Sequence, residues 1–168
     1  MIVSNSTPLI YLAKLNKLYL LREFFAEVYI PREVYREVVV RGKEEGYADA
    51  LLVEEAIKEG WIRVENAPLM KKLEEYGIDR GEAEAISLAL KLKSREILID
   101  QSHARFAAEV VGLIPRGTLF VLLKALRMNF LTFEDYLEHL EALVRANFRM
   151  SDEVYIEAVR LGRELAEK

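Results

Sequence analysis

Glu82 is a carboxylate on the face of a helix that ought to bury hydrocarbon. The stretch from Arg80 to Leu92 reads as one amphipathic helix. At roughly 100° per residue, Ala85, Ile86, Leu88, Ala89, Leu90 and Leu92 fall in the arc centred on Glu82, and Glu84, Ser87 and Lys91 fall opposite. Of two neighbouring glutamates, Glu84 then points to water and Glu82 into the protein. A buried charge is costly unless something pairs with it. The candidate companion is Asp100, which closes the apolar run Glu96-Ile97-Leu98-Ile99. Two acids converging from a helix and a strand end point to a metal site. Hydrolysis of a phosphodiester needs an activated water and charge relief on the phosphate. Mg²⁺ or Mn²⁺ supplies both when a few carboxylates hold it and leave waters in place.

Each candidate also has a plainer reading. Asp79 and Glu82 have the spacing of a capping box, in which Glu82 reaches back to the backbone. The two roles are not exclusive. Asp100 could be a turn residue capping the next helix. Glu37 is flanked by Val34, Val38 and Val40 and so faces inward, or it is a solvated partner of Arg41 one turn on. Asn5 follows the first strand, where a turn residue is the simple reading, although its amide oxygen is a weak metal ligand. Ser6 lies next to it. Gln101 follows Asp100, within reach of a metal-bound water. His103 falls between Phe106 and Val110 on the helical wheel and reads as a packed histidine. Arg105 and Glu109 have the spacing of a surface ion pair, with phosphate binding by Arg105 the lesser alternative. Lys71, Lys72 and Arg80 read as a solvated face.

Elements must carry these residues to one place. Short apolar runs at residues 2–4, 28–30, 61–64, 96–99 and 113–115 alternate with helical stretches, the last strand ended by Pro115. The helices are expected from about Pro8 with Thr7 as cap, and over 31–40, 48–58, 69–76, 80–92 and 102–111. Three more, over 118–128, 133–146 and 152–166, close the chain, with Thr132 and Ser151 as caps. The alternation predicts an α/β fold with a parallel sheet of about five strands flanked by helices, with extra C-terminal helices from about 132. The whole chain, 1–168, reads as one domain. In such sheets ligands bind beyond the carboxyl ends of the strands, where the strand order reverses. Asn5 and Asp100 follow strands at that edge, and Glu37 and Glu82 lie on helices that meet it.

Composition narrows the chemistry. The 168 residues carry a net charge of −4 and are 52% hydrophobic, enough for a sizeable core. A mildly acidic chain needs local basic patches or bound cations to hold nucleic acid. There is no cysteine, which excludes thiolate metal sites and leaves oxygen or histidine ligands. The two histidines, His103 and His139, are too far apart for a short zinc motif. The start of the chain lacks the basic leader and long apolar core of a signal peptide, so a cytoplasmic protein is expected. High charge, with glutamate well ahead of aspartate, fits a thermophilic source.

With these residues in view, the sequence resembles the PIN-domain family, and in particular an uncharacterised prokaryotic branch related to VapC-type toxin ribonucleases. The resemblance is carried by six segments, at 2–10, 30–38, 81–86, 98–105, 117–119 and 148–152. It implies a parallel sheet between helices and an acidic pocket that binds Mg²⁺ or Mn²⁺ and cleaves single-stranded RNA. By position that pocket holds Asn5, Glu37, Glu82 and Asp100, with Gln101 beside them and Ser6 and Arg105 peripheral. Two positions depart from the family pattern. Asn5 stands where an aspartate is usual, and Gln101 where the branch often has a second acid. Both changes remove negative charge. The resemblance also implies homodimers and, for toxin members, a small antitoxin partner. A degenerate PIN-like module that binds RNA or protein without cutting is the alternative. A phospho-acceptor domain ranks last, because Ser4-Asn5-Ser6 offers no acidic pair.

Overall fold

The computed structural model describes residues 1–168. The chain forms two compact units, Met1–Thr118 and Leu119–Lys168. The first contains five strands: β1 (Ile2–Ser4), β2 (Val28–Ile30), β3 (Ile62–Val64), β4 (Glu96–Leu98) and β5 (Ile114–Arg116). They form one sheet in the order β3-β2-β1-β4-β5, with every pairing parallel. This is the α/β fold that the alternation of short apolar strands and helices requires, since parallel strands need helical crossovers. β1 is buried throughout, as expected of a central parallel strand covered on both faces.

The order of the strands locates a crevice. From β1 the chain moves outward to β2 and β3, then returns to lay β4 on the other side of β1. The reversal lies between β1 and β4, where Ser4 pairs with Leu98. The Asn5 N–H donates to the Leu98 carbonyl at 2.8 Å and extends this pairing past the strand end. Asn5 and Asp100 therefore leave adjacent strands at the carboxyl edge of the switch point, where an α/β sheet opens for ligands.

The helices of the first unit are α1 (Ser6–Lys14), α2 (Tyr19–Phe25), α3 (Arg32–Tyr35), α4 (Gly42–Glu44), α5 (Ala48–Glu59), α6 (Arg80–Leu92) and α7 (Ser102–Val110). Ala85, Ile86, Leu88 and Ala89 of α6 join Val3, Ile97 and Ile99 and the alanines of α7 in one buried cluster. Several local expectations change. α1 begins at Ser6 with Asn5 as its N-cap, ahead of Thr7. Asn16, with φ of 57°, separates α1 from α2, which the periodicity did not separate out. Pro115 lies inside β5 rather than ending it, and β5 is an edge strand, where a missing N–H is tolerated. The segment expected as a helix from 69 to 76 is a 3₁₀ turn over Lys71–Tyr76. The helix expected over 31–40 is α3 followed by a π-helical turn, Arg36–Arg41. The widened turn brings both Val38 and Val39 inward and leaves Val40 39% exposed.

The second unit carries most of α8 (Thr118–Arg127), with α9 (Phe133–Arg145) and α10 (Asp152–Ala166). Thr132 and Ser151 cap α9 and α10 by accepting the N–H of Asp135 and Val154, each at 3.1 Å. The buried Tyr136 hydroxyl donates to the Ala158 carbonyl at 2.7 Å and ties α9 to α10. Gly162 leaves room for that ring, since a Cβ there would overlap it. No helix is long and apolar enough to cross a membrane.

Candidate functional site

At the start of α6 both readings of Glu82 hold at once. Asp79 accepts the Glu82 N–H at 2.8 Å, and the Asp79 N–H donates to Glu82 Oε1 at 2.9 Å. This is a complete capping box, which satisfies two N–H groups that a helix end leaves free. The box uses only one carboxylate oxygen. Glu82 is 5% exposed, and its Oε2 is buried with no hydrogen-bond partner. Burial pushes its carboxyl above the ordinary glutamate value. The Asp79 backbone hydrogen bond opposes that shift, and the charges of Asp79 and Glu37 add to it.

Beyond the capping Asp79, Glu37 is therefore the acid within electrostatic reach of Glu82. It lies in the π turn, a feature that often marks functional positions because it re-aims a side chain. The half-buried Glu37 accepts a hydrogen bond from the Ser6 hydroxyl to Oε2 at 2.6 Å. Burial raises its pKa first, the Ser6 hydrogen bond opposes the shift, and the charges of Asp79 and Glu33 add to it. No ion pair with Arg41 forms at that spacing; Arg41 only moderates the charge. Gly81 makes the approach possible. A Cβ at this position would lie 2.7 Å from Glu37 Oε1, so only glycine admits the carboxylate against the first turn of α6.

Asp100 has a different set of neighbours. Its Oδ1 accepts the Thr118 N–H at 2.8 Å, and its Oδ2 accepts the Thr118 hydroxyl at 2.7 Å. Burial raises its pKa, while both Thr118 donations and the Arg105 charge pull it down. Gly117 provides the clearance, since a Cβ there would lie 2.7 Å from Asp100 Oδ1 and 3.2 Å from an Arg105 guanidinium nitrogen. The sequence pairs Glu82 with Asp100, whereas the electrostatic neighbours of Glu82 are Asp79 and Glu37 and that of Asp100 is Arg105. Asn5, 4% exposed at the end of β1, precedes Ser6, the donor to Glu37, and bonds through its N–H to β4, the strand before Asp100. Its side chain makes no cap hydrogen bond to α1.

The flanking residues are also redistributed. Arg105 does not pair with Glu109; it donates to the Ile99 carbonyl at 3.1 Å. Gln101 is exposed at the N-cap of α7, without a side-chain cap bond. His103 is exposed rather than packed, because α7 buries its alanines and leaves Phe106 59% and Val110 48% exposed. Glu84 is not free in water. It accepts the Glu33 N–H at 3.2 Å and pairs with Arg80 at 2.7 Å, which joins α6 to the start of α3. Ser87, also placed on the polar side, is buried and accepts the Met70 N–H, so the 66–78 segment covers that face. Gly81, Gly117 and Thr118 belong to the resembling segments 81–86 and 117–119, but their contacts with Glu37 and Asp100 are not legible from the sequence. The Gly-Glu and Gly-Thr dipeptides were the available signals, but their partners lie far away in the chain.

A divalent cation fits this arrangement in one form. No three or more acidic or histidine side chains converge closely enough to enclose an ion, so a closed protein cage is absent. Mg²⁺, however, is commonly held by one or two carboxylates, with waters and substrate phosphates completing its shell. The unpartnered Glu82 Oε2, the uncompensated proximity of Glu37 and the clearance at Gly81 suit that open kind of site.

Comparison with known proteins agrees with this geometry at the level of family. No curated protein matches the chain. Residues 1–164 match the model of a family described as a PIN domain, and since this covers nearly the whole chain, the protein belongs to the PIN-domain family.

Proposed function

We propose that the protein is a metal-dependent endoribonuclease that cleaves single-stranded RNA. Membership of the PIN-domain family supports nuclease-type chemistry, and one observation carries the assignment to this site. A buried carboxylate oxygen, Glu82 Oε2, lacks any partner, and its carboxyl feels the charge of a second raised-pKa carboxylate, Glu37. Leaving a buried anionic oxygen unmatched costs free energy. Such a cost is common where a ligand completes the group.

In this mechanism Glu37 and Glu82 would hold the cation, and the capping box and the Ser6 hydroxyl fix the orientation of the two carboxylates. When bound, Mg²⁺ or Mn²⁺ relieves phosphate charge and lowers the pKa of a bound water. Asn5, at the adjacent strand end, positions that water or a phosphate oxygen through its amide. Asp100, fixed by Thr118, orders the far side of the crevice, with Gln101 and Arg105 at its rim. The test is Mn²⁺-dependent cleavage of a single-stranded oligoribonucleotide by the wild type and by Glu82→Gln. Loss of cleavage in the variant is expected; equal activity would discard the mechanism.

A toxin role adds two partners, a second copy of the chain and a small antitoxin protein. Analytical ultracentrifugation tests the first, and relief of growth arrest by a co-expressed neighbouring gene tests the second. One feature favours the rival reading of a binding module without turnover. Asn5 supplies no charge, and both Asp100 oxygens are already engaged by Thr118. Robust cleavage by the wild type would exclude that rival.

A further inference from the structure

We infer that the outer face of α3 and the π turn forms a subsite for one nucleotide of the RNA strand flanking the scissile phosphate, an inference that rests on the RNA reading above. An open groove of about 560 Å³ is lined by Arg32, Tyr35, Arg36, Val40, Ile57 and Val64. Its place in the fold is informative. Arg32 lies just beyond Ile30 at the end of β2, and Ile30 pairs with Val64 at the end of β3. The Arg32 and Val64 end of the groove therefore lies at the same carboxyl edge of the sheet as the acidic site. One continuous helical segment serves both. Glu33 and Glu37 are electrostatic neighbours on the site side, while Arg32, Tyr35, Arg36 and Val40 line the groove.

The chemistry of the groove suits a nucleotide. Its lining is mainly apolar, with Val40, Ile57 and Val64 joined by Tyr35. Two guanidinium groups flank it. Arg36 is neutralised by Glu33 at 2.9 Å, whereas exposed Arg32 has no acidic partner, so it is the groove's uncompensated charge. A protein of net charge −4 repels a polyanion at long range, and a local unpaired guanidinium beside an aromatic ring offsets that repulsion where the strand must lie. Single-strand binding sites combine these two elements, a cation for the phosphate and a ring on which a base stacks. An acidic, apolar peptide is the competing occupant.

The test uses the full chain carrying Glu82→Gln, so that binding is read without turnover. Anisotropy of a labelled single-stranded oligoribonucleotide is measured across a salt series. Arg32→Gln is expected to weaken binding and to reduce the slope of log K against log salt by about 0.7, the share of one phosphate contact on a single strand. Tyr35→Ala is expected to weaken binding about tenfold, in the range of one lost stacked base, with Tyr35→Phe retaining affinity. An abasic nucleotide at one position should cost the parent protein affinity and cost Tyr35→Ala none. Unchanged affinity and salt slope in both variants, alongside Glu82-dependent cleavage by the wild type, would overturn the subsite and leave the nuclease assignment standing. Arg32-dependent binding in a protein that never cleaves would support the subsite and remove the nuclease assignment.

Discussion

Replacing Glu82 by glutamine should stabilise the metal-free protein while abolishing its use of a divalent ion. The amide carbonyl of the new side chain can still accept the Asp79 N–H that Glu82 Oε1 accepts at 2.9 Å, so the cap survives. The other side-chain atom becomes an NH₂ donor where an unpartnered anionic oxygen lies in reach of Glu37. A buried polar atom without a partner costs about 1–3 kcal/mol, so a gain of about 1–2 kcal/mol is expected. For a chain of this size that raises Tm by about 2–8 °C. Glu82→Ala should gain less than Glu82→Gln, because it removes the same buried oxygen but also leaves the Asp79 N–H without its acceptor. The pH dependence follows from the direction of the shifts. Burial raises the folded-state pKa of Glu37 and Glu82 above the ordinary value of 4.5. The folded state therefore holds protons that the unfolded chain has released. The stability contribution is fully present below 4.5 and is lost as pH rises through the folded values. The stabilisation by Glu82→Gln should accordingly be larger at about pH 7.5 than at about pH 4.5. Thermal melts in EDTA read all of this, and Mn²⁺ should then raise the wild-type Tm and leave that of Glu82→Gln unmoved. A lower Tm for Glu82→Gln than for the wild type in EDTA at about pH 7.5 would refute the reasoning.

Three further perturbations probe the surrounding geometry. Gly81→Ala places a Cβ 2.7 Å from Glu37 Oε1 and must displace that carboxylate; Mn²⁺-dependent cleavage should fall by at least about tenfold, a response expected when site geometry is loosened by roughly 1 Å, with circular dichroism unchanged. Thr118→Val removes the hydroxyl that donates to Asp100 Oδ2 at 2.7 Å at a fully buried position; it should cost about 1–3 kcal/mol in urea unfolding, with Thr118→Ser recovering most of the loss. Asn5→Asp adds a carboxylate at a 4% exposed position next to Ser6, the hydrogen-bond partner of Glu37; calorimetry should show tighter Mn²⁺ binding than in the wild type, and melts in EDTA a lower Tm.

Much of the architecture could be read before any coordinates, because strand and helix periodicities are local. The alternation of short apolar runs with helices requires crossovers, hence a parallel sheet, and the strand ends then mark where Asn5 and Asp100 lie. The inward face of Glu82 follows from the angle per residue alone. What escaped was either a departure from that angle or a contact between distant segments. The wheel assumes a regular α-helix, so it could not foresee the π turn that re-aims Glu37 and exposes Val40. It also assumes that polar faces meet water, yet the 66–78 segment folds over Ser87, and α3 engages Glu84. The Ser6–Glu37 and Asp100–Thr118 bonds span 31 and 18 residues. No spacing rule reports such pairs. The glycines at 81 and 117 are intelligible only once the carboxylates they admit are in place.

The charge distribution at the switch point argues for a cation that the substrate helps to hold. Asn5 is neutral, Gln101 is neutral and exposed, and Asp100 is engaged by Thr118 and offset by Arg105. Glu37 and Glu82, with Asp79 held in the capping box, are the acids whose charges act on one another, and two ligating carboxylates would leave most of a divalent ion's coordination shell to water and phosphate. A full negative charge at position 5 would bind the ion more tightly in the absence of RNA, and it would also increase the repulsion that already raises the Glu37 and Glu82 pKa values. A neutral side chain there lowers that electrostatic cost in the empty protein and, on the proposed mechanism, would transfer part of the ion's binding to the RNA strand. By thermodynamic reciprocity, an ion whose shell is completed by phosphate must strengthen RNA binding by the same factor as RNA strengthens its own. On the proposed mechanism, the neutral residue at 5 would make ion and RNA occupancy cooperative, with the unpaired Oε2 of Glu82 as the group on which that coupling depends.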